Sequence, residues 1–395
     1  MLDYSFILPL MAAIAIGWLL GRWSLRKQRL GSASNEKGLN RDYFQGLNFL
    51  LSDQPNEAIE SFIRTLEVNS DTLPAHLALA RLFRKKGDVE RAIAIHQNLL
   101  ARPDLNREDQ LRVQMALALD YDSLGLLDRS ENLLVDVLKQ PLPNATRIRA
   151  LTKLIKLYEK GHEWQSALQA TQRLGKDQTE EIKKVAAHYA CELAEQSRQQ
   201  QDMKQALVQL KQALIYDPGC VRASLMKASI FTSQQQWKVA ITQLRQIETQ
   251  DRYFVSEAIP YLKTCYQALG KPSDYDQYLR HCLSHAPSAS VILALTDLIL
   301  LDKGAVAAGK FLTEELKHRP SIKGFNRLID LHIGYGSSSA KESLQTLKSL
   351  TSALASTKPQ YQCYQCGFGA KQLEWHCPSC KNWSSIRPIQ GLEGE

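Results

Sequence analysis

Four cysteines near the carboxyl end carry the clearest chemistry in this sequence. Cys363, Cys366, Cys377 and Cys380 form two Cys-x-x-Cys pairs within the stretch "CYQCGFGAKQLEWHCPSC". Each pair can turn two thiolates towards one ion, and two pairs complete a tetrahedron of four sulfurs. Because four protein sulfurs leave no open coordination position, the pattern predicts one structural metal ion rather than a catalytic one. Zinc and iron both accept four thiolates, and the residues do not decide between them.

The residues beside the two pairs refine this prediction. Gly367 follows the first pair and eases its turn, whereas Lys381 stands at the corresponding place after the second pair. His376 adjoins Cys377, but four sulfurs make a histidine ligand surplus. The remaining cysteines occur singly in helical sequence, and we expect them to be small buried or groove-lining residues without chemistry of their own. They are Cys191, Cys220, Cys265 and Cys282.

The compartment in which the thiols lie depends on the first thirty residues. Residues 5–21, "SFILPLMAAIAIGWLLG", contain no charge and as a helix would span roughly 25 Å, near the lower limit for crossing a bilayer. Arg22, Arg26, Lys27 and Arg29 follow directly, whereas a cleaved signal peptide carries its positive charges before the apolar run. The positive-inside rule therefore predicts a single-pass membrane anchor with the body in the cytoplasm. That compartment is reducing, which favours metal ligation over disulfides.

From residue 41 onward the sequence repeats. A small residue recurs at intervals of 34, 38, 37, 39 and 34 residues, at Ala58, Ala92, Ser130, Ala167, Ala206 and Ala240. This spacing is typical of the tetratricopeptide repeat, a pair of antiparallel helices that cross closely and stack on the next pair. Weaker units follow, and a last helix pair closes the array. We therefore expect an all-α tetratricopeptide-repeat superhelix of about eight or nine units.

These observations divide the chain into four segments. Residues 1–30 form the anchor with its basic flank, and 31–40, "GSASNEKGLN", form a linker. Residues 41–355 form the repeat solenoid, and 356–395 form the metal-binding tail. The tail has too little apolar sequence to fold on its own core, so the ion would supply about 10–16 kcal/mol of stabilisation.

The first helix of each repeat is expected to line a concave groove that binds partner proteins. Several cations fall on that face and would suit an acidic segment of a partner. They are Arg81, Arg84, Lys85, Arg112, Arg149, Lys153, Lys156 and Arg222. The same register places further residues in the groove, namely Met115, His188, Cys191, Glu195, Arg198 and Met226.

Other classes of function find little support. The formal net charge of +8 is mild for 395 residues and does not demand an anionic partner. Acidic and basic residues balance around the cysteines, which argues against nucleic-acid binding, and the chain holds no phosphate loop, zinc-protease helix or nucleophile elbow. An electron-transfer protein with iron in the cage stays open as an alternative.

The whole chain resembles the lipopolysaccharide assembly protein B family of Gram-negative bacteria. The resemblance includes "RDYFQGLNFLLS", "LFRKKGDVERAIAIHQNL", "VSEAIPYLKTCYQALGK" and "AKESLQTLK", and its most specific part is "YQCYQCGF…WHCPSCKNWSSIRPIQGL". In that family the tail is called rubredoxin-like, and the four cysteines of this chain match its motif one for one.

The resemblance implies a non-enzymatic adaptor that regulates lipopolysaccharide synthesis. Such an adaptor presents the lipid A pathway deacetylase (LpxC) to the membrane protease FtsH and responds to an inner-membrane regulator that senses lipopolysaccharide. A scaffold that recruits lipopolysaccharide-synthesis enzymes is an alternative, and a homodimer stays open. The resemblance also implies that the metal-binding tail packs against the repeats.

Overall fold

The computed structural model describes Trp18 and residues 41–68, 72–334 and 338–395. The expected anchor and linker lie outside these residues, apart from Trp18, so both stay predictions. Among the helices in the described ranges, none is long and apolar enough to cross a membrane. The chain divides into unit 1, which ends at Gly161, and unit 2, which runs from His162 to Glu395.

Unit 1 is built from consecutive helices. They are α1 (41–51), α2 (Pro55–Val68), α3 (Leu73–Lys86), α4 (Val89–Leu100), α5 (Arg107–Ser123), α6 (Leu127–Leu138) and α7 (Asn144–Lys160).

Unit 2 continues with helices and ends in three short strands. Its helices are α8 (Trp164–Leu174), α9 (Glu180–Gln199), α10 (Met203–Tyr216), α11 (Val221–Ser233), α12 (Trp237–Gln250), α13 (Val255–Ala268), α14 (Pro272–His285), α15 (Ala289–His318), α16 (Ile322–Ile333) and α17 (Ser338–Thr357). Short 3-10 turns cover Gly175–Asp177 and Arg252–Phe254. The strands are β1 (Tyr361–Cys363), β2 (Gly369–Ala370) and β3 (Ile386–Pro388).

The recurring small residues lie where helices cross. The side chains at all six positions are at most 1% exposed, from Ala58 to Ala240. Where serine replaces alanine at Ser130, its hydroxyl donates to the carbonyl of Ala118 at 2.7 Å, so the polar atom is satisfied inside the contact. A Cβ on Gly46 would stand 2.9 Å from the Phe62 ring, which explains the absence of a side chain there. The predicted helical repeats are therefore confirmed.

In eight of the turns that the structure describes, a residue with positive φ joins the two helices of a repeat. It is glycine at Gly87, Gly125, Gly270 and Gly304, and another residue at Asp53, His162, Gln201 and Gln235. Gly304 lies inside α15 with φ 79° and ψ 177°, so this long helix is two helices that meet at a glycine with positive φ. The weak repeat that the sequence predicts in this region therefore has the same break as the others.

The strands form one small antiparallel sheet in the order β2-β1-β3. Tyr361 pairs with Ala370 on one side and with Pro388 on the other, and Cys363 pairs with Ile386. This sheet and the loops between its strands form the ribbon, which we define as residues 361–388. The ribbon contains all four paired cysteines.

Candidate metal centre

The ribbon brings the four paired cysteines together. The Sγ atoms of Cys363, Cys366, Cys377 and Cys380 all lie within 4.8 Å of one another. Cys363 and Cys380 are 3.7 Å apart at sulfur, and so are Cys366 and Cys377. A tetrahedral ion with metal–sulfur bonds of about 2.3 Å requires sulfurs about 3.8 Å apart. The cage therefore fits one metal ion, and the same geometry accepts zinc or iron.

The two Cys-x-x-Cys turns have matching backbone geometry. The N–H of Gly367 donates to the carbonyl of Cys363 at 2.9 Å, and the N–H of Lys381 donates to the carbonyl of Cys377 at 2.9 Å. Gly367 has φ 77° and Lys381 has φ 57°, both in the left-handed region. Lys381 therefore adopts the conformation that glycine adopts in the first turn, although a side chain is strained there.

Hydrogen bonds and burial act on the thiols in opposite directions. Burial opposes ionisation of Cys363, but donors from Ser385, Cys366 and Gln365 outweigh it and lower the pKa of this thiol to about 6. Asn382 likewise lowers the pKa of Cys380, whereas burial raises the pKa of Cys377 to about 11. Four thiolates this close repel one another, so a bound cation is needed to hold all four ionised.

His376 lies beside the cage but takes no place among the sulfurs. Its Nε2 atom is 3.0 Å from the carbonyl oxygen of Lys381, and its ring stacks on Trp383 with centroids 4.5 Å apart. The histidine supports the second turn and the neighbouring indole. The structure thus agrees with four sulfurs and no histidine ligand.

The second turn leads into Trp383, which joins the ribbon to the helices of unit 2. The indole stacks on His188 of α9 with centroids 5.0 Å apart. It also meets Trp164 and Tyr189 edge-on at 6.1 and 6.0 Å. The hydroxyl of Ser384 lies 2.5 Å from Nε2 of His188. Residues from α8 and α9 therefore form a socket for this edge of the ribbon.

Burial fixes the charge state of His188 in this socket. Burial, followed by the positive charges of Arg222 and His376, lowers the pKa of His188 to about 3. The ring is therefore neutral at physiological pH and can pack face to face with an indole. The sequence predicts His188 in the open groove, and this is wrong because the ribbon covers it, leaving 2% exposed.

A second set of contacts joins the ribbon to α13 and the turn before it. Trp375 stacks on Phe254 with centroids 5.4 Å apart. The hydroxyl of Tyr361 donates to Oε1 of Glu257 at 2.9 Å, and burial, together with the charge of Glu395, raises the pKa of Glu257 against that hydrogen bond. Because Tyr361, Trp375 and Trp383 contact different elements of unit 2, these contacts fix the orientation of the ribbon as well as its position.

Two further contacts with charged groups secure the end of the chain. Arg387 forms an ion pair with Asp251 at 3.1 Å and lies over the rings of Tyr253 and Tyr364. The carboxylate of Glu395 accepts from the N–H and hydroxyl of Ser290 at 2.9 and 3.0 Å and pairs with Lys323 at 2.5 Å. The segment after β3 therefore ties the ribbon to α15 and α16.

The predicted groove cations of unit 1 have different surroundings. Arg84 is held at 2.5 Å by the buried carboxylate of Asp120, which also contacts His96, so it joins α3, α4 and α5 instead of facing a partner. Arg112 pairs with Glu108 and Asp109 of its own helix. The other five are exposed or half-buried: Arg81, Lys85, Arg149, Lys153 and Lys156.

In unit 2 the predicted cation is enclosed. Arg222 is 9% exposed and donates to Oε1 of Glu192 at 2.8 Å. Arg198 is more open, and both of its donors bind Glu195 of the same helix. Beside them a cavity of about 250 Å³ is lined by residues of both the helices and the ribbon, including Met226, Leu373 and Trp375. The groove here is therefore narrowed by the ribbon and balanced in charge.

The four single cysteines are all buried, as expected. Cys191 and Cys220 lie with their sulfurs 4.0 Å apart, and burial, first among several causes, raises the pKa of Cys191. Cys265 and Cys282 are fully buried in the core of unit 2. Cys191, predicted to be buried or to line the groove, is 0% exposed, so it is a buried residue.

The sequence identifies the four sulfurs but not the residues that receive the ribbon. His188, Glu257 and Ser290 lie 196, 104 and 105 residues from their hydrogen-bond partners. Spacing cannot indicate contacts over such distances. The one signal in the sequence is the pair of tryptophans, Trp375 and Trp383, beside the cysteines, because such large rings are rarely left free of packing.

Two family models match this chain. A model described as "Rubredoxin metal binding domain" matches residues 361–388, which is the ribbon. A model described as "Tetratricopeptide repeat" matches residues 75–111, which begin within α3 and end within α5.

Curated relatives match over the full length. Lipopolysaccharide assembly protein B of Escherichia coli strain K12 is 37% identical over 395 residues and covers 100% of both chains. The protein of the same name from Haemophilus influenzae is 32% identical over 402 residues, again covering 100% of both. Among solved structures, residues 41 to the end of MamA from Desulfovibrio magneticus align at 14% identity and a TM-score of 0.35, covering 46% of this chain and 97% of that one.

The match to these relatives is complete at both ends, and the ribbon fits the family's metal-binding model. This chain therefore belongs to the lipopolysaccharide assembly protein B family.

Proposed function

We propose that this protein is a non-enzymatic adaptor in lipopolysaccharide assembly that presents the deacetylase LpxC to the protease FtsH. The full-length identity of 37% to lipopolysaccharide assembly protein B carries the proposal. Helical repeats that offer grooves to other proteins, together with a closed metal site, support an adaptor rather than an enzyme.

The adaptor is held at the inner membrane by residues 5–21, with the body in the cytoplasm. The uncharged run followed by four cations supports this orientation. Tethering raises the effective concentration of a soluble client beside a membrane protease, so modest affinity for each partner suffices. The lipopolysaccharide-sensing regulator would act in the same membrane.

The metal ion has a structural role in this proposal. Cys363, Cys366, Cys377 and Cys380 would hold it, and the ion would supply the charge that keeps four neighbouring sulfurs ionised. The folded ribbon and the helices of unit 2 would then together form a surface that binds other proteins. Leu373 and Trp375 already line a cavity together with Arg198 and Tyr261.

The half-life of the deacetylase tests the proposal. In cells that contain the protease, depletion of this protein should lengthen the half-life of LpxC, and expression of the full chain should restore it. A matched strain without the protease serves as the control, because depletion should have no further effect there. An unchanged half-life with altered lipopolysaccharide synthesis would contradict the adaptor and favour a scaffold for the synthetic enzymes.

A further inference from the structure

One face of α7 in unit 1 carries three cations in a row. Arg149, Lys153 and Lys156 follow at spacings of four and three residues, which places them on the same side of the helix. Among the described residues of unit 1, these three side chains form no ion pair with a carboxylate. Other exposed cations of the unit do: Lys139 pairs with Asp136 and Lys160 pairs with Asp122.

The middle cation of this row is the most constrained. Lys153 is half-buried, and burial is the first cause that lowers its pKa. The charges of Arg84, Lys156 and Arg149 lower it further, and the negative charge of Asp122 opposes them in part. The positive charges therefore repel one another here, and a bound anion would reduce that repulsion.

The excess of positive charge extends to α3. Arg84 lies between the helices, with its charge satisfied by Asp120 of α5, and it donates a second bond to the carbonyl of Ala116. Arg81 and Lys85 lie on the same side of α3 as Arg84 and are exposed. We call Arg81, Lys85, Arg149, Lys153 and Lys156 the cation face.

We propose that the cation face binds an acidic linear segment of a partner protein. This inference rests on the proposed adaptor function and names the chemistry that its first repeats recognise. Charge complementarity selects an acidic chain. The nearby carboxylate of Asp122 is already paired with Lys160, which leaves the three α7 cations available to a partner.

The dimensions of the face set the length of the segment. Neighbouring packed helices lie about 8–10 Å apart, so α3, α5 and α7 together span roughly 20 Å. An extended chain advances about 3.3 Å per residue, so the segment needs about six or seven residues. The matching surface of unit 2 does not offer the same chemistry, because Glu192 and Glu195 already satisfy Arg222 and Arg198.

Binding of a labelled decaglutamate peptide to the purified full chain in detergent tests the inference. We expect binding at about 50 mM salt that weakens strongly at about 300 mM, because exposed charges are then screened. Replacing Arg149, Lys153 and Lys156 together by glutamine should weaken binding by about tenfold, since three charge contacts with the peptide are lost. A decaglutamine peptide should not bind.

A matched control separates the cation face from net charge. Lys204, Lys211 and Lys238 are exposed on the second helices of their repeats, α10 and α12. Their joint replacement by glutamine removes the same charge and should change affinity by less than about twofold. Equal weakening in both variants, unchanged affinity in the α7 variant, or no binding by the native chain would each overturn the inference. Because purified protein and a synthetic peptide are used, this test can fail while the half-life experiment succeeds, and the reverse.

Discussion

The two turns that hold the sulfurs differ in one residue, Gly367 in the first and Lys381 in the second. Their N–H groups make the same hydrogen bond, and both residues have positive φ. A left-handed conformation costs a non-glycine residue about 1–2 kcal/mol. The second turn keeps its own hydrogen bond from the Lys381 N–H to the Cys377 carbonyl, and His376 contacts the Lys381 carbonyl beside it. A glycine is therefore not a requirement of the motif.

Removing two of the four sulfurs should unfold the ribbon and leave the helical repeats folded. We expect the joint Cys377→Ser and Cys380→Ser variant to lose its metal, because a hydroxyl does not replace a thiolate ligand, and the ribbon should then unfold. The helices should stay folded because their cores exclude these residues. Metal analysis and amide exchange over 361–388 would measure both effects.

Cys191 and Cys220, which lie outside the metal site, supply the control for that variant. Joint replacement of Cys191 and Cys220 by alanine also removes two sulfurs, but leaves the cage intact, so the metal content should equal that of the native chain. A native chain with one zinc per molecule and no colour would exclude iron. Retention of metal by the Cys377/Cys380 variant would contradict the four-sulfur site.

The ligand set could be predicted because its information is local. Four cysteines in two short pairs determine a cage whatever the rest of the chain does. The socket could not be predicted in this way, since His188 and Ser384 are brought together only when α9 and the ribbon are both folded. Arg84 is wrong as a partner-binding residue for the same reason. Its spacing fits the groove, but Asp120 lies within reach once α3 and α5 pack.

At the scale of the element, eight described turns between paired helices contain a residue with positive φ. Gly87 has this conformation in the second repeat, and Gln201 and Gln235 have it in later repeats. The spacing of the small residues indicates where these turns fall. Each small residue marks a helix crossing, and each crossing lies at about the same distance along the chain from its turn. The strands of the ribbon are too short, at two or three residues, for an alternating pattern to predict them.

Exchanging the turn residues should change stability in opposite directions. A Cβ on Gly87 would meet nothing within 4 Å, so Gly87→Ala isolates the backbone cost and should lose about 1 kcal/mol. Gln235→Gly should gain about 0.5–1 kcal/mol because it relieves φ 58° at an exposed position. Urea unfolding would measure both, and changes of the same sign would contradict this explanation of the turns.

At the scale of the whole molecule, unit 2 joins a metal-stabilised ribbon to a helical array. The ribbon contributes Leu373 and Trp375 to the core that surrounds Phe254 and Ile259. Arg387 of the ribbon pairs with Asp251, which follows α12, and Glu395 at the end of the chain pairs with Lys323 of α16. The ribbon is therefore part of the surface that the last repeats offer to partners, and losing its position would change that surface even with the metal in place.

Trp383→Ala should separate docking of the ribbon from metal binding. Loss of this part-buried ring removes its contacts with His188, Trp164 and Tyr189 and should weaken docking by about 2–3 kcal/mol, below the range for a fully buried ring. Metal content should not change, because all four sulfurs remain. Amide exchange in α9 should rise, and LpxC should persist in cells as it does on depletion.

Phe368→Ala, at an exposed aromatic of the same ribbon, is the matched control and should leave amide exchange and LpxC turnover unchanged. If the α9 amides exchange faster in the Trp383 variant but the half-life of LpxC stays native, the adaptor works without a docked ribbon.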